Sequence, residues 1–272
     1  MKRSGTTICV FFLVFGLCRV VVPSVNAQEQ GAWTAVKLAN PREVEMRGLL
    51  GEALRRGIAR LDMPPYTESW ILADLSFELK RRYTNFSGDV TGRFLELASL
   101  TSPPGRKTPP TLSPVLAAIT RLRNSRFQKP DGHFGVEIDL TKELVEDSPP
   151  LCLLWGNARL LVGLIACAEV YGDPQALAAA KRLGDFYVES SNQLCDPRRE
   201  EEYHSSGTWG HSYTCDYFPA IEGLAMLFIA TEDERYLKQA QRMAEFFKKF
   251  DALPNDHSHG NLSAWRGILL LH

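Results

Sequence analysis

A chain of 272 residues with 31 lysines and arginines against 32 aspartates and glutamates is close to neutral, and its 44% of hydrophobic residues can fill a substantial core. No stretch is strongly basic, which argues against nucleic acid and against an anionic membrane surface as partners. Cys-x-x-Cys and His-Glu-x-x-His are both absent, and His211 with Cys215 four residues on is too small a set to hold a metal, so no metal site is written in the sequence.

The N-terminus reads as an export signal over residues 1–27. Lys2 and Arg3 form a basic start, Ile8 to Cys18 an apolar stretch too short to cross a bilayer, and Val25-Asn26-Ala27 a small-residue cleavage site. Cleavage there removes Lys2, Arg3 and Arg19 and leaves 28 basic against 32 acidic residues, a balance of −4. The protein is therefore expected outside the cytoplasm, periplasmic or secreted. Four cysteines remain: Cys152, Cys167, Cys195 and Cys215. Cys167 lies in an apolar run and reads as a core residue. Cys195 and Cys215 bracket a polar loop, and an oxidising compartment permits a disulfide between them, worth about 3 kcal/mol on the chain-entropy model.

Residues 28–40 read as an extended lead-in, followed by helices over about 41–61 and 68–81 and from about Gly88-Asp89 to Leu100. The segment 101–114, rich in proline and basic residues, is a solvated connection; a further helix follows to Phe127, and Pro130-Asp131-Gly132 is a turn.

From residue 153 the pattern repeats. The segment starting at Gly163 aligns without a gap on the segment starting at Gly223: Leu164 meets Leu224, Asp173 meets Asp233, Leu177 meets Leu237, Ala180 meets Ala240 and Phe186 meets Phe246. Each hairpin is a helix, a tight turn with an aspartate suited to N-capping, and a second amphipathic helix. One such hairpin cannot bury its apolar face alone, so the repeat implies stacking. A third begins at Trp265-Arg266-Gly267-Ile268 and stops at His272, before its turn. With no sustained β alternation anywhere, the expected fold is all-α, of (α/α)6-toroid type. Residues 41–272 form a partial toroid, incomplete at the C-terminus, with apolar surface at its open edge.

Stacked hairpins carry their chemistry at one rim. The loop 191–218 offers Glu200, Glu201, Glu202, Tyr203, His204, Trp209, His211, Tyr213, Asp216 and Tyr217, aromatic faces beside carboxylates, as a sugar site requires. Glu222 precedes the repeat glycine in an otherwise apolar helix, as a charge favoured by the helix dipole or as a group facing a central cavity. The equivalent start of the preceding hairpin carries Trp155, Asn157 and Arg159; the following one has His257, His259, Asn261 and Arg266. Trp155, Trp209, His211, Glu222, His257 and His259 are the candidate substrate-binding residues, and no catalytic residue is assigned. His133 and His204 read as simply hydrogen-bonded.

Residues 88–100, 130–135, 154–173, 220–247 and 257–272 together resemble the N-terminal half of the β-L-arabinofuranosidase-like glycoside hydrolases, family 127 of the six-hairpin clan. The most specific stretch pairs the Ile221-Glu222 start with the Thr231-x-Asp233-x-Arg235-Tyr236-Leu237 turn. The resemblance implies a toroid that hydrolyses glycosidic bonds of complex glycans, with an oligo- or polysaccharide as partner. It also implies a zinc-bound cysteine nucleophile and a glutamate acid/base in motifs beyond residue 272; none of the four cysteines matches them. Glu222 and the His257–His259 segment correspond to substrate-facing positions. Residues 1–272 are thus expected to bind substrate, with no cofactor of their own and without turnover. Two other readings remain open: a toroid enzyme of different chemistry, an unsaturated-uronyl hydrolase or sugar epimerase using Glu222 with His211 or His259, and a non-catalytic helical-repeat module binding a glycan or a protein.

Overall fold

The computed structural model describes residues 21–22, 37–38, 45–61, 63–76, 88–101, 127–140, 149–196, 217–249 and 258–272. By contacts the chain divides into residues 1–56 and 57–272. The first part holds a two-residue antiparallel pair, β1 (Val21–Val22) against β2 (Lys37–Leu38), and most of helix α1 (Gly48–Arg60). The helix starts later than the expected position near residue 41. Gly48, at φ +62°, sets its first residue in a left-handed conformation and ends any regular run from before it.

In the second part, α2 (Glu68–Leu75) begins where the sequence places it, because Thr67 stays extended and its Oγ1 accepts from the Trp70 N–H at 3.3 Å. Residues 77–81 of that expected helix lie outside the described residues, as does the expected helix before Phe127. Helix α3 (Asp89–Leu100) follows Gly88, and the Pro130-Asp131-Gly132 turn is present. Five further helices are α4 (Pro149–Tyr171), α5 (Pro174–Leu194), α6 (Ala220–Thr231), α7 (Glu234–Phe247) and α8 (Ser258–Leu270). Apart from β1–β2 and one bridge between Gln128 and Phe134, the described residues are helices, turns and short irregular segments.

The two matched hairpins have the same turn. Gly172 and Glu232 are both left-handed, at φ +64° and +57°. Asp173 and Asp233 follow at φ/ψ −84°/107° and −82°/106°, each accepting a backbone N–H two residues on, at 2.8 and 3.0 Å. This cap satisfies donors that a helix start otherwise leaves open.

Helices α3, α4, α6 and α8 pack side by side in that order, while α5 and α7 lie against α4 and α6. A glycine on each inner helix sets the approach. An alanine Cβ at Gly163 would stand 2.4 Å from the Gly92 carbonyl oxygen, one at Gly223 2.7 Å from the Leu161 side chain, and one at Gly267 2.4 Å from the Glu222 nitrogen. Contacts advance together along α3 and α4, from Gly88 beside Gly156 to Ala98, whose carbonyl accepts from the Tyr171 hydroxyl at 2.9 Å, so the two run parallel. The apolar span Cys152–Tyr171 is long enough to cross a bilayer by length and composition, yet here it is 83% buried among α3, α5 and α6. Register repeats in what is covered. Leu161 lies under Gly223 and Ile221 under Gly267, both side chains fully buried, whereas Trp265 at the same place on α8 is 46% exposed and Leu269 71%.

Candidate functional site

Four side chains from three inner helices meet near the helix starts. Asp89 is the first residue of α3, where the helix dipole favours a carboxylate. Its Oδ1 accepts from the Arg93 Nε at 2.8 Å, one turn along the same helix, and from the indole Nε1 of Trp155 on α4 at 3.0 Å. Arg93 extends a terminal nitrogen to the Nδ1 of His259 on α8 at 3.2 Å. The ring of His259 stands edge-on to Trp155, centroids 5.0 Å apart at 84°, a favourable aromatic geometry. Residues 166 positions apart in sequence thus share one cluster.

Deeper along the same helices runs a line of alternating charge. Arg159 on α4 donates to the Glu96 Oε2 on α3 at 2.5 Å and to the Glu222 Oε2 on α6 at 3.3 Å. The other Glu222 oxygen lies 2.8 Å from an Arg266 nitrogen on α8. Burial lowers the Arg159 pKa, but the carboxylates of Glu96 and Glu222 outweigh it, and the net shift is upward. Its Nε has no hydrogen-bond partner among the described residues, so these two ion pairs carry the compensation that a buried guanidinium requires. Across both clusters three carboxylates, Asp89, Glu96 and Glu222 in the described contacts, face three guanidinium groups, Arg93, Arg159 and Arg266.

Of the sequence candidates, Trp155 and His259 come together directly. Glu222 is in the first turn of α6 and fully buried, held by two arginines. Trp209, His211 and His257 lie outside the described residues, as do residues 200–204, Tyr213, Cys215 and Asp216. Tyr217 is fully buried, and burial raises its pKa well above the usual phenol value. Asn157 serves the scaffold: its side chain accepts from the Phe134 N–H at 2.7 Å and donates to the Phe134 carbonyl at 2.9 Å, which fixes the 127–135 loop on α4. His133 bonds Asp131 at 2.6 Å and the Val136 carbonyl at 2.8 Å, a fully engaged ring, as its sequence reading expects. Asp89, Arg93 and Glu96 were not among the candidates. They fall at i, i+4 and i+7 on α3, the charged residues of that helix on one stripe, and that spacing is the signal that marks them.

Cys152, Cys167 and Cys195 are buried free thiols. The Cys195 sulfur lies 3.6 Å from the Tyr217 hydroxyl, and Cys215, the partner that the spacing allows, lies outside the described residues. Burial pushes the Cys167 thiol up to about 12, and it sits 3.2 Å from the Ser99 Oγ. A cysteine that holds zinc does so as a thiolate, together with other donors. The described residues contain no group of three or more His, Cys, Asp or Glu placed to hold a metal; the resemblance puts its zinc centre in motifs beyond residue 272. A recess of about 300 Å³ is lined by α2 and the 127–137 segment, including Leu75, Phe127, Lys129 and Glu137; none of the four rim residues lines it.

Comparison of the chain with family models, with curated proteins and with solved structures yields no match.

Proposed function

We propose that this protein is a carbohydrate-active chain of the (α/α)-toroid type, related to the β-L-arabinofuranosidase-like glycoside hydrolases, exported, and binding oligo- or polysaccharide at the starts of its inner helices. The observation that carries the reading is the convergence of Asp89, Arg93, Trp155 and His259 at one end of α3, α4 and α8. An indole and an imidazole beside a paired aspartate and arginine supply the mixture of apolar face and directed hydrogen bonds that sugar recognition uses. Charge balance supports a neutral sugar over a uronate. Arg93 is paired with Asp89, Arg159 with Glu96 and Glu222, and Arg266 with Glu222, so none of these three cations is left for a sugar carboxylate. Substrate contact is the role proposed for these residues. The nucleophile and the acid/base belong, on the resemblance, to later motifs, and the buried thiols are not offered in their place.

Calorimetric titration of the 272-residue chain with neutral arabino-oligosaccharides and with uronate oligosaccharides of equal length tests this. Saturable binding of the neutral series is expected. Preference for uronates would instead favour the uronyl-hydrolase reading, and binding of neither would favour a protein-binding repeat. Hydrolysis of an aryl arabinofuranoside by this chain would contradict the absence of a nucleophile.

A further inference from the structure

The recess between α2 and the 127–137 segment has the features of a second binding site. Its volume of about 300 Å³ is at the small end of ligand pockets, enough for one small molecule and too little for an oligosaccharide. The segment that forms its wall is tied down on three sides. Within the segment, the Gly135 N–H donates to the Phe127 carbonyl at 2.9 Å and the Lys129 N–H to the His133 carbonyl at 2.7 Å. Gln128 joins it to α5 through the Ala179 carbonyl at 3.1 Å, and Asn157 joins it to α4. Gly135, at φ +113°, leaves part of the lining without a side chain, in a conformation that favours glycine.

The lining is divided by its chemistry. Leu75, Phe127 and Val136 are apolar, while Lys129 and Glu137 carry opposite charges. Their nearest atoms are 3.4 Å apart, longer than a good charge-assisted hydrogen bond. The Lys129 side chain is only 24% exposed, whereas that of Glu137 is 80% exposed. A three-donor ammonium largely withdrawn from water is thus met by one distant, solvated carboxylate, and it has capacity for another acceptor. Charge balance then selects the ligand. An anion would satisfy Lys129 but be repelled by Glu137, and a cation would face the reverse. A molecule with an ammonium next to a carboxylate satisfies both, because the four charges then alternate around a ring. Each charge has two opposite neighbours, and the existing pair need not break.

We propose that this recess binds a free α-amino acid with an apolar side chain. Lys129 takes the carboxylate, Glu137 takes the ammonium, and the side chain lies against Leu75, Phe127 and Val136. None of the residues proposed to bind saccharide lines the recess, so this site does not rest on the glycan reading.

The test is calorimetric titration of the full chain with L-leucine, with 4-methylpentanoate, which is leucine without its ammonium, and with 3-methylbutylamine, which is leucine without its carboxylate. Leucine is expected to bind at one site with a dissociation constant of about 1 mM or tighter. Each singly charged analogue is expected to bind at least about tenfold more weakly, the scale of one charged hydrogen bond. Lys129→Met and Glu137→Gln are each expected to weaken leucine binding by a similar factor. Circular dichroism shows whether each variant folds; Glu137→Gln, at an exposed position, is the decisive one if Lys129→Met does not. Leucine is also expected to slow hydrogen exchange over residues 127–137 and not at the starts of α3, α4 and α8. Failure of leucine to bind overturns the proposal. Equal binding of either analogue, no loss of affinity in Glu137→Gln, or protection only at the helix starts does so as well. Leucine binding by protein that binds no saccharide leaves this site standing and removes the glycan reading alone.

Discussion

Arg159 is the residue on which the inner helices depend most. The residue is 4% exposed, and its guanidinium bridges Glu96 and Glu222, each 63 positions away in sequence, on either side of α4. Arg159→Met keeps the volume but leaves two carboxylates buried beside an apolar side chain. A loss of about 3–5 kcal/mol in urea denaturation is expected, the usual cost of breaking a buried pair from one side. Arg266→Met, at a side chain that is 40% exposed, is expected to cost less than half as much. The buried thiol and phenols give a pH dependence of defined sign. Cys167 is raised by burial from 9.0 to about 12, and burial raises Tyr187 and Tyr217 well above 10.0. In the folded state these groups hold their protons above the pH at which the unfolded chain releases them. Their contribution is fully present below pH 9 and is lost as the pH rises toward 12. Urea midpoints are therefore expected to fall as the pH rises above 9, and to fall less steeply in Cys167→Ala.

At the scale of the helices, the close approach of α3 to α4 and the strained turn before α7 make opposite predictions for glycine. Gly163→Ala puts a methyl group 2.4 Å from the backbone of α3, so the helices must separate; a loss of about 1–3 kcal/mol is expected despite the better helix propensity of alanine. Glu232 is an exposed residue held at φ +57°, where its partner turn uses Gly172. A side chain in that region costs about 1–2 kcal/mol, partly offset by the greater freedom that glycine gives the unfolded chain. Glu232→Gly is expected to raise the thermal midpoint, with a gain of about 0.5–1 kcal/mol. Differential scanning calorimetry of the two variants checks both signs. The repeat was legible in sequence because these turns carry their own chemistry: a capping aspartate at 173 and at 233 after a residue that must turn left-handed. Gly92 plays the same part on α3 but was not recognised as a repeat glycine, because the connection after Leu100, opening Thr101-Ser102-Pro103-Pro104, has no Asp-capped turn to align on.

At the scale of the whole molecule, the sequence was sufficient to identify a helical chain, the order of its hairpins and an exposed apolar edge on α8, where Trp265 and Leu269 lie open. It also put Trp155 and His259 at one end of the stack. It did not show that Glu222 is enclosed between Arg159 and Arg266, because a carboxylate at a helix start looks the same whether it meets solvent or a neighbouring helix, and only the packing angle decides. Nor did it single out Asp89 and Arg93, whose partners lie 66 and 166 residues away. The central claim is that these distant residues make one saccharide site. Hydrogen-exchange mass spectrometry of the full chain, with and without a saturating neutral arabino-oligosaccharide, tests it most directly. Protection is expected in the first two turns of α3, α4 and α8, around Asp89–Arg93, Trp155 and His259. Protection confined to the recess formed by α2 and residues 127–137, or no protection at the three helix starts, would contradict it.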